Sequence, residues 1–234
     1  MLTIAADGLL VGRGRAIAAG PLDFALAAGE GLVVTGPNGS GKSTMLRTLA
    51  GLLPALGGTI AVSGGLAGDG EPVGSIAEIA HYVGHRNAMK PGISVGRNLD
   101  FWRATLDLAG TPVPNEAALL ALGLPDLTAV PFGYLSAGQQ RRSSLARLLV
   151  APRDIWILDE PTAALDAESQ ALFGRLMQRH LETGGLIIAA THQPLGLEHA
   201  RRLDLSRSDL RESRPAGPGV NVSDDELVEA EGWL

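Results

Sequence analysis

Eight residues, Gly36-Pro37-Asn38-Gly39-Ser40-Gly41-Lys42-Ser43, constrain this chain more than any others, because they spell G-x-x-x-x-G-K-[ST]. The glycines let backbone N–H groups wrap closely round a phosphate. A helix starting near Lys42 adds the positive end of its dipole. Lys42 then reaches the β- and γ-phosphates of a nucleoside triphosphate, the Ser43 hydroxyl ligates Mg²⁺, and Thr44 completes the loop. Such a loop needs a strand before it and a helix after it. Residues 31–36 (GLVVTG) form a short β-branched run, and Met45, Leu46, Leu49, Ala50 and Leu53 recur at helical spacing up to Pro54. The chain has only two lysines, Lys42 and Lys90, against seventeen arginines, so a lysine at this position is informative.

A second apolar run, residues 154–158 (DIWIL), leads into Asp159 and Glu160. Unpaired charge beside a core is expensive, so two carboxylates there call for a reason. Asp159 is expected to hold Mg²⁺, directly or through a water, and Glu160 to polarise an attacking water as general base. A third buried strand covers residues 186–190, and residues 167–182 between the two read as a helix. Strands alternating with helices predict an α/β fold with a parallel sheet and ligands at the carboxyl ends of its strands. Between residues 85 and 150 strand signals vanish, and residues 95–108 and 137–150 read as helices. The expectation is one domain over residues 1–206, with a core (1–84 and 151–206) and an inserted helical subdomain (85–150). Residues 207–234 turn polar and acidic and read as a flexible tail.

Of the 234 residues, 45% are hydrophobic, which suits a packed core. Net charge is −6, so there is no basic field and nucleic acid is not an expected partner. Cysteine is absent, which excludes disulfides, thiolate-bound metals and a cysteine nucleophile. No uncharged apolar run approaches the roughly 18–20 residues of a membrane span, so direct insertion is not expected. The N-terminus lacks a positively charged start, and no signal peptide is read there.

Leu135-Ser136-Ala137-Gly138-Gln139 opens a helix carrying Arg141, Arg142 and Arg147. A small-residue helix start is an anion site. The same residues also spell a helix cap, because Ser136 followed by Gln139 fits a capping box. This stretch resembles the LSGGQ signature of the ABC ATPases, with Ala137 at its first glycine, and like that signature it precedes the acidic strand. Asp166 resembles the family's D-loop residue, and Thr191-His192 its switch histidine. The resemblance implies a P-loop NTPase core of the RecA-like kind with a helical insert. It implies ATP hydrolysis with Mg²⁺, His192 acting beside Glu160 and Lys42 at the γ-phosphate or lytic water. It also implies a head-to-tail dimer in which residues 36–44 of one copy and Ser136, Ala137, Gly138 and Gln139 of the other, with Asp166, enclose each ATP. Closure of such a pair drives a transmembrane partner.

Two features depart from the family pattern. No glutamine follows the strand at residues 80–84, where His85 or Arg86 stands nearest. No aromatic precedes Phe24, which reads as inward-packing, so Arg13 or Arg15 is left to stack on adenine. YVGHRNAMK, SVGRNLDFW, LSAGQQRR, IWILDEP and THQPL resemble the haem-exporter ATPases of cytochrome c biogenesis. That subfamily implies polytopic partners of the CcmB/CcmC type and a peripheral position on the cytoplasmic face of the inner membrane. The five histidines form no axial-ligand motif, so direct haem binding is not expected. Within the transporter class the alternative is an importer or lipoprotein-export ATPase with another cargo; outside it, a soluble ABC ATPase and a P-loop kinase are the competing readings. The first commonly has two ATPase units in one chain, the second has no use for LSAGQ.

Overall fold

The computed structural model describes residues 1–67, 70–106 and 110–207. The expected tail at 207–234 thus lies, apart from Arg207, outside the described residues. In chain order the elements are β1 (Thr3–Arg13), β2 (Ala16–Ala27), β3 (Gly31–Thr35), α1 (Lys42–Leu49), β4 (Gly57–Ser63), β5 (Ala80–Val83) and α2 (Val95–Thr105). Then come α3 (Asn115–Ala121), α4 (Ala137–Leu145), α5 (Arg147–Val150), β6 (Ile155–Asp159), α6 (Ala167–Glu182), β7 (Leu186–Ala190) and β8 (Arg201–Asp204).

Five strands form a parallel sheet in the order β5-β6-β7-β3-β8. The three strands most visible in the sequence, β3, β6 and β7, are its centre. Every residue of β6 and β7 is buried, as covering on both faces demands. Side chains alternate across the sheet. Ile155, Ile157, Leu186 and Ile188 pack with Met45, Leu46 and Leu49 of α1 and with Ile4, Leu9 and Leu26 of a second sheet. Trp156, Leu158, Ile187 and Ala189 pack on the opposite side with Val95, Leu99, Leu119, Leu145 and Leu148 of the insert, and with Phe173 and Met177 of α6. Phe173 and Met177 lie one turn apart on the buried stripe of α6, each burial contributing about 2–3 kcal/mol.

The second sheet is antiparallel, in the order β2-β1-β4. The sequence reading did not resolve it. Register shifts between Ala6 and Leu9, Leu9 and Val11, and Val11 and Gly12 break the two-residue alternation that announces a strand. Phe24 does sit inward on β2, as expected.

Helix α1 is shorter than the expected run to Leu53. Gly51 adopts φ +73°, its N–H donates to the Thr48 carbonyl, and the Leu52 N–H donates to the Arg47 carbonyl. These bonds make a glycine-terminated helix end three residues before Pro54. The run expected over 137–150 is broken at Ala146 into α4 and α5. Ser144 Oγ donates to the Arg141 carbonyl, and such local bonds compete with the helical ladder. The run expected over 95–108 ends as a helix at Thr105, with Leu106 extended.

Buried polar groups stitch the insert to the sheet. The Arg147 guanidinium lies 4.6 Å from the Trp102 ring centre and donates to the Tyr82 carbonyl. Burial lowers its pKa to about 10. His81 bonds to the Ala151 carbonyl, and burial with Arg147 nearby lowers its pKa to about 3. His180 stacks on Trp156 at 4.0 Å, and burial lowers its pKa to about 4. Both histidines are neutral packing groups.

Candidate active site

The parallel sheet brings the separate motifs to one edge. Val34 and Asp159 both pair with Ala190, so β3, β6 and β7 end within one residue of the same level, at Thr35, Asp159 and Ala190. The loop after β3 needs its glycines: Gly36 has φ +142° and Gly41 +95°, and a Cβ on Gly36 would come 2.7 Å from Ser40 Oγ. Gly41 caps α1, whose first N–H groups therefore face the loop. Lys42 is 8% exposed, and its Nζ donates to the carbonyls of Gly36 (2.8 Å) and Pro37 (3.0 Å). Pro37, Asn38 and Gly39 are exposed, while Ser43 and Thr44 are half-buried at the helix start. Ser40 Oγ is buried with no hydrogen-bond partner, one polar atom left for a ligand.

Asp159 is 1% exposed at the end of β6. Its Oδ2 lies 3.4 Å from the Tyr82 hydroxyl, which donates to it, and 3.7 Å from His85 Nε2. The Tyr82 hydroxyl in turn accepts from Arg47 Nε at 3.4 Å. Burial and the Asp159 charge raise the Tyr82 pKa, so the phenol stays protonated and able to donate. Both residues standing where the family carries a glutamine are exposed, and His85 is the one whose ring nitrogen lies beside the buried carboxylate.

Glu160 follows with φ +46°, a conformation that costs a non-glycine residue on the order of 1–3 kcal/mol and persists only when neighbours hold it. Its N–H donates to the Ala190 carbonyl at 2.9 Å, and its carbonyl accepts from Arg141 Nη2 at 2.8 Å. His192 Nε2 lies 3.8 Å from Glu160 Oε1 and 3.1 Å from Asn38 Oδ1. His192 thus joins the phosphate loop to the acidic strand end. Asn38, Glu160 and His192 were expected in the site from the sequence; the bond between Asn38 and His192, and the contacts of Arg141 and Ala190, were not.

The signature residues lie across a cleft from Glu160. Ser136 and Ala137 are exposed, with Gly138 and Gln139 half-exposed. The capping box forms: the Gln139 N–H donates to Ser136 Oγ (3.3 Å) and the Ser136 N–H to Gln139 Oε1 (3.0 Å). The box uses the outer donors and leaves the N–H groups of Ala137 and Gly138 facing out of the helix start. The cap expected from the sequence is therefore formed, and it leaves those two N–H groups unused. Asp166 caps α6: its Oδ1 accepts from the Ser169 N–H at 2.8 Å, and hydrogen bonds from Ser169 hold its carboxyl below the usual range. Arg13 and Arg15 are exposed at the β1–β2 turn.

A profile described as ABC transporter matches residues 19–163, more than half of the chain. The chain belongs to the ABC transporter family. Among curated relatives it is 50% identical over 207 residues to the "Cytochrome c biogenesis ATP-binding export protein CcmA" of Rhizobium meliloti, covering 88% of this chain and 98% of that one. It is 54% identical over 176 residues to the protein of that name in Rhodopseudomonas palustris, covering 75% and 84%. At these identities and coverages the chain is a relative of the curated ABC proteins that carry the CcmA name. Of solved structures, a putative ABC transporter ATP-binding protein of Pyrococcus furiosus has a TM-score of 0.73 at 24% identity, covering 88% of this chain and 98% of that one. A bacterial Atm1-family ABC exporter with ATP bound gives 0.70 at 23% identity, covering 91% of this chain and 40% of that one. At those identities the likeness is one of fold, and it agrees with the ABC ATPase architecture described above. Among the described residues no helix is long and apolar enough to cross a membrane.

Proposed function

We propose that this ABC-type ATPase works as a head-to-tail pair, each ATP lying between residues 36–44 of one copy and Ser136–Gln139 of the other. The observation that carries this is the meeting of Asn38, His192 and Glu160 at one sheet edge, while the signature start lies exposed across a cleft from Glu160. One chain thus offers a phosphate loop with its base, and a second helix-start site that bonds only to itself.

The Ser43 hydroxyl and the Asp159 carboxylate offer oxygen donors at the loop, a set that suits Mg²⁺ bound together with phosphate oxygens. Bound there, the metal neutralises charge on the β- and γ-phosphates. Glu160 takes a proton from the attacking water, whose oxygen bonds to the γ-phosphorus as the bond to the ADP oxygen breaks. His192 bridges that water or the γ-phosphate to Asn38. Lys42 exchanges its loop carbonyls for phosphate oxygens. ATP favours the closed pair because only that state makes both sets of phosphate contacts.

Ser136→Arg tests the shared site. The isolated subunit should bind ATP within about twofold of wild type, because Ser136 does not touch the phosphate loop. ATP-driven dimers should disappear in light scattering, since a bulky cation there blocks closure. Normal dimers in that variant would overturn the shared site.

The cargo reading follows the relatives' names and the strings in this sequence that resemble that subfamily. The pair powers a cytochrome c biogenesis complex that moves haem or releases it to a periplasmic chaperone, through polytopic subunits of the CcmB/CcmC type at the cytoplasmic face of the inner membrane. Copies of this chain purified from detergent-solubilised membranes should bring polytopic haem-handling proteins with them. Recovery with a transporter of another cargo, or with no membrane protein, would favour the other ABC readings.

A further inference from the structure

The geometry points to Arg141 as the positioning residue that sets the backbone of Glu160 and couples it to the signature helix; this deepens the dimer reading above and rests on it. Arg141 sits one turn into α4 and is only 4% exposed. Each of its hydrogen bonds goes to a main-chain carbonyl. Nη1 donates to Gly84 at 2.8 Å, Nε to Pro161 at 3.1 Å, and Nη2 to Asp159 at 3.3 Å and Glu160 at 2.8 Å. A guanidinium is a rigid planar fork, so it fixes those four carbonyls relative to one another and to α4.

What those carbonyls belong to gives the bond set its meaning. Gly84 directly precedes His85, and Asp159 and Glu160 are the metal and base candidates. Glu160 holds its left-handed φ with its N–H on the Ala190 carbonyl and its own carbonyl shared between the Arg141 guanidinium (2.8 Å) and the Ala163 N–H (3.2 Å). A second contact runs in parallel: Gly138 lies against the carbonyl of Ala164, itself at φ +64°, where an added Cβ would come within 3.2 Å. His85, Ala137, Arg141, Glu160 and Ala164 line one cleft between the signature start and the base. A shift of α4 as it grips the partner's nucleotide therefore moves Arg141, and with it the base serving the nucleotide on its own chain. Hydrolysis in one site waits on the grip in the other.

Arg141→Lys keeps the charge, but a point donor cannot hold four carbonyls. We expect kcat to fall about 30- to 100-fold, the loss that misplacing a reacting group by about 1 Å brings. KM and the affinity of the isolated subunit for a fluorescent ATP analogue should stay within about twofold. Combined with Glu160→Gln, the variant should still form ATP-driven dimers by light scattering, with faster amide exchange across residues 159–165 than Glu160→Gln alone. A kcat within twofold of wild type overturns the assignment, as does loss of ATP binding in parallel with kcat, which marks a residue that only supports the fold. Should the lysine variant fail to fold, Arg141→Gln carries the same expectations. Failure of Glu160→Gln alone to dimerise with ATP overturns the dimer reading instead, and the kcat and exchange results then decide Arg141 by themselves.

Discussion

Glu160→Gln is expected to lower kcat by at least two to three orders of magnitude, the contribution of a positioned general base. The amide matches the carboxylate in size, and residue 160 is held by its own main chain, its N–H on the Ala190 carbonyl and its carbonyl on the Arg141 guanidinium. Folding is therefore preserved and the loss is chemical. His192 Nε2 still reaches Asn38, so the phosphate loop keeps its link to the strand edge. With binding intact and hydrolysis removed, ATP should accumulate in the closed pair. A stable dimer by light scattering, holding ATP rather than ADP, is the expected readout. A variant that hydrolyses ATP at the wild-type rate would remove Glu160 as the base.

Lys42→Ala should abolish measurable hydrolysis by a different route. The ammonium is buried and its hydrogen bonds go to the carbonyls of Gly36 and Pro37. It therefore holds the loop in shape and puts a cation at the proposed phosphate site. A charge-assisted bond contributes about 1.5–3 kcal/mol, so the affinity for ATP should fall roughly 10- to 100-fold. Equilibrium binding to the single subunit measures this directly, with no need for dimerisation. Turnover and affinity unchanged from wild type would contradict the phosphate-loop assignment. The contrast between the two variants is diagnostic: one fills with ATP and stays shut, the other does not load.

Residues 36–43, Asp159–Glu160, Ser136–Gln139 and His192 were legible because each reports on its own stretch of chain. Gly41 at positive φ ahead of Lys42, or two carboxylates closing an apolar run, is a demand that local geometry places on residue type. The buried strands β3, β6 and β7 were legible for a similar reason, since covering on both faces needs an unbroken apolar run. The antiparallel sheet was not, because its irregular register scatters the alternation. The end of α1 was misjudged because Gly51 stops the helix before Pro54 can. The partners of Tyr82, Arg141 and Asn38 were invisible. They lie 77, 57 and 154 residues away in the chain, at Asp159, Gly84 and His192 respectively.

The sequence by itself determined that this chain binds a triphosphate and hydrolyses it, and which family it joins, because close approach to phosphate restricts both backbone and side chain within a few consecutive residues. Only the tertiary structure decided that His85 rather than Arg86 stands beside Asp159, that Asn38 meets His192, and that Arg141 grips the backbone of Glu160. Those facts depend on how parallel strands align at one edge and on which buried donors find carbonyls there. Distance along the chain carries no trace of either.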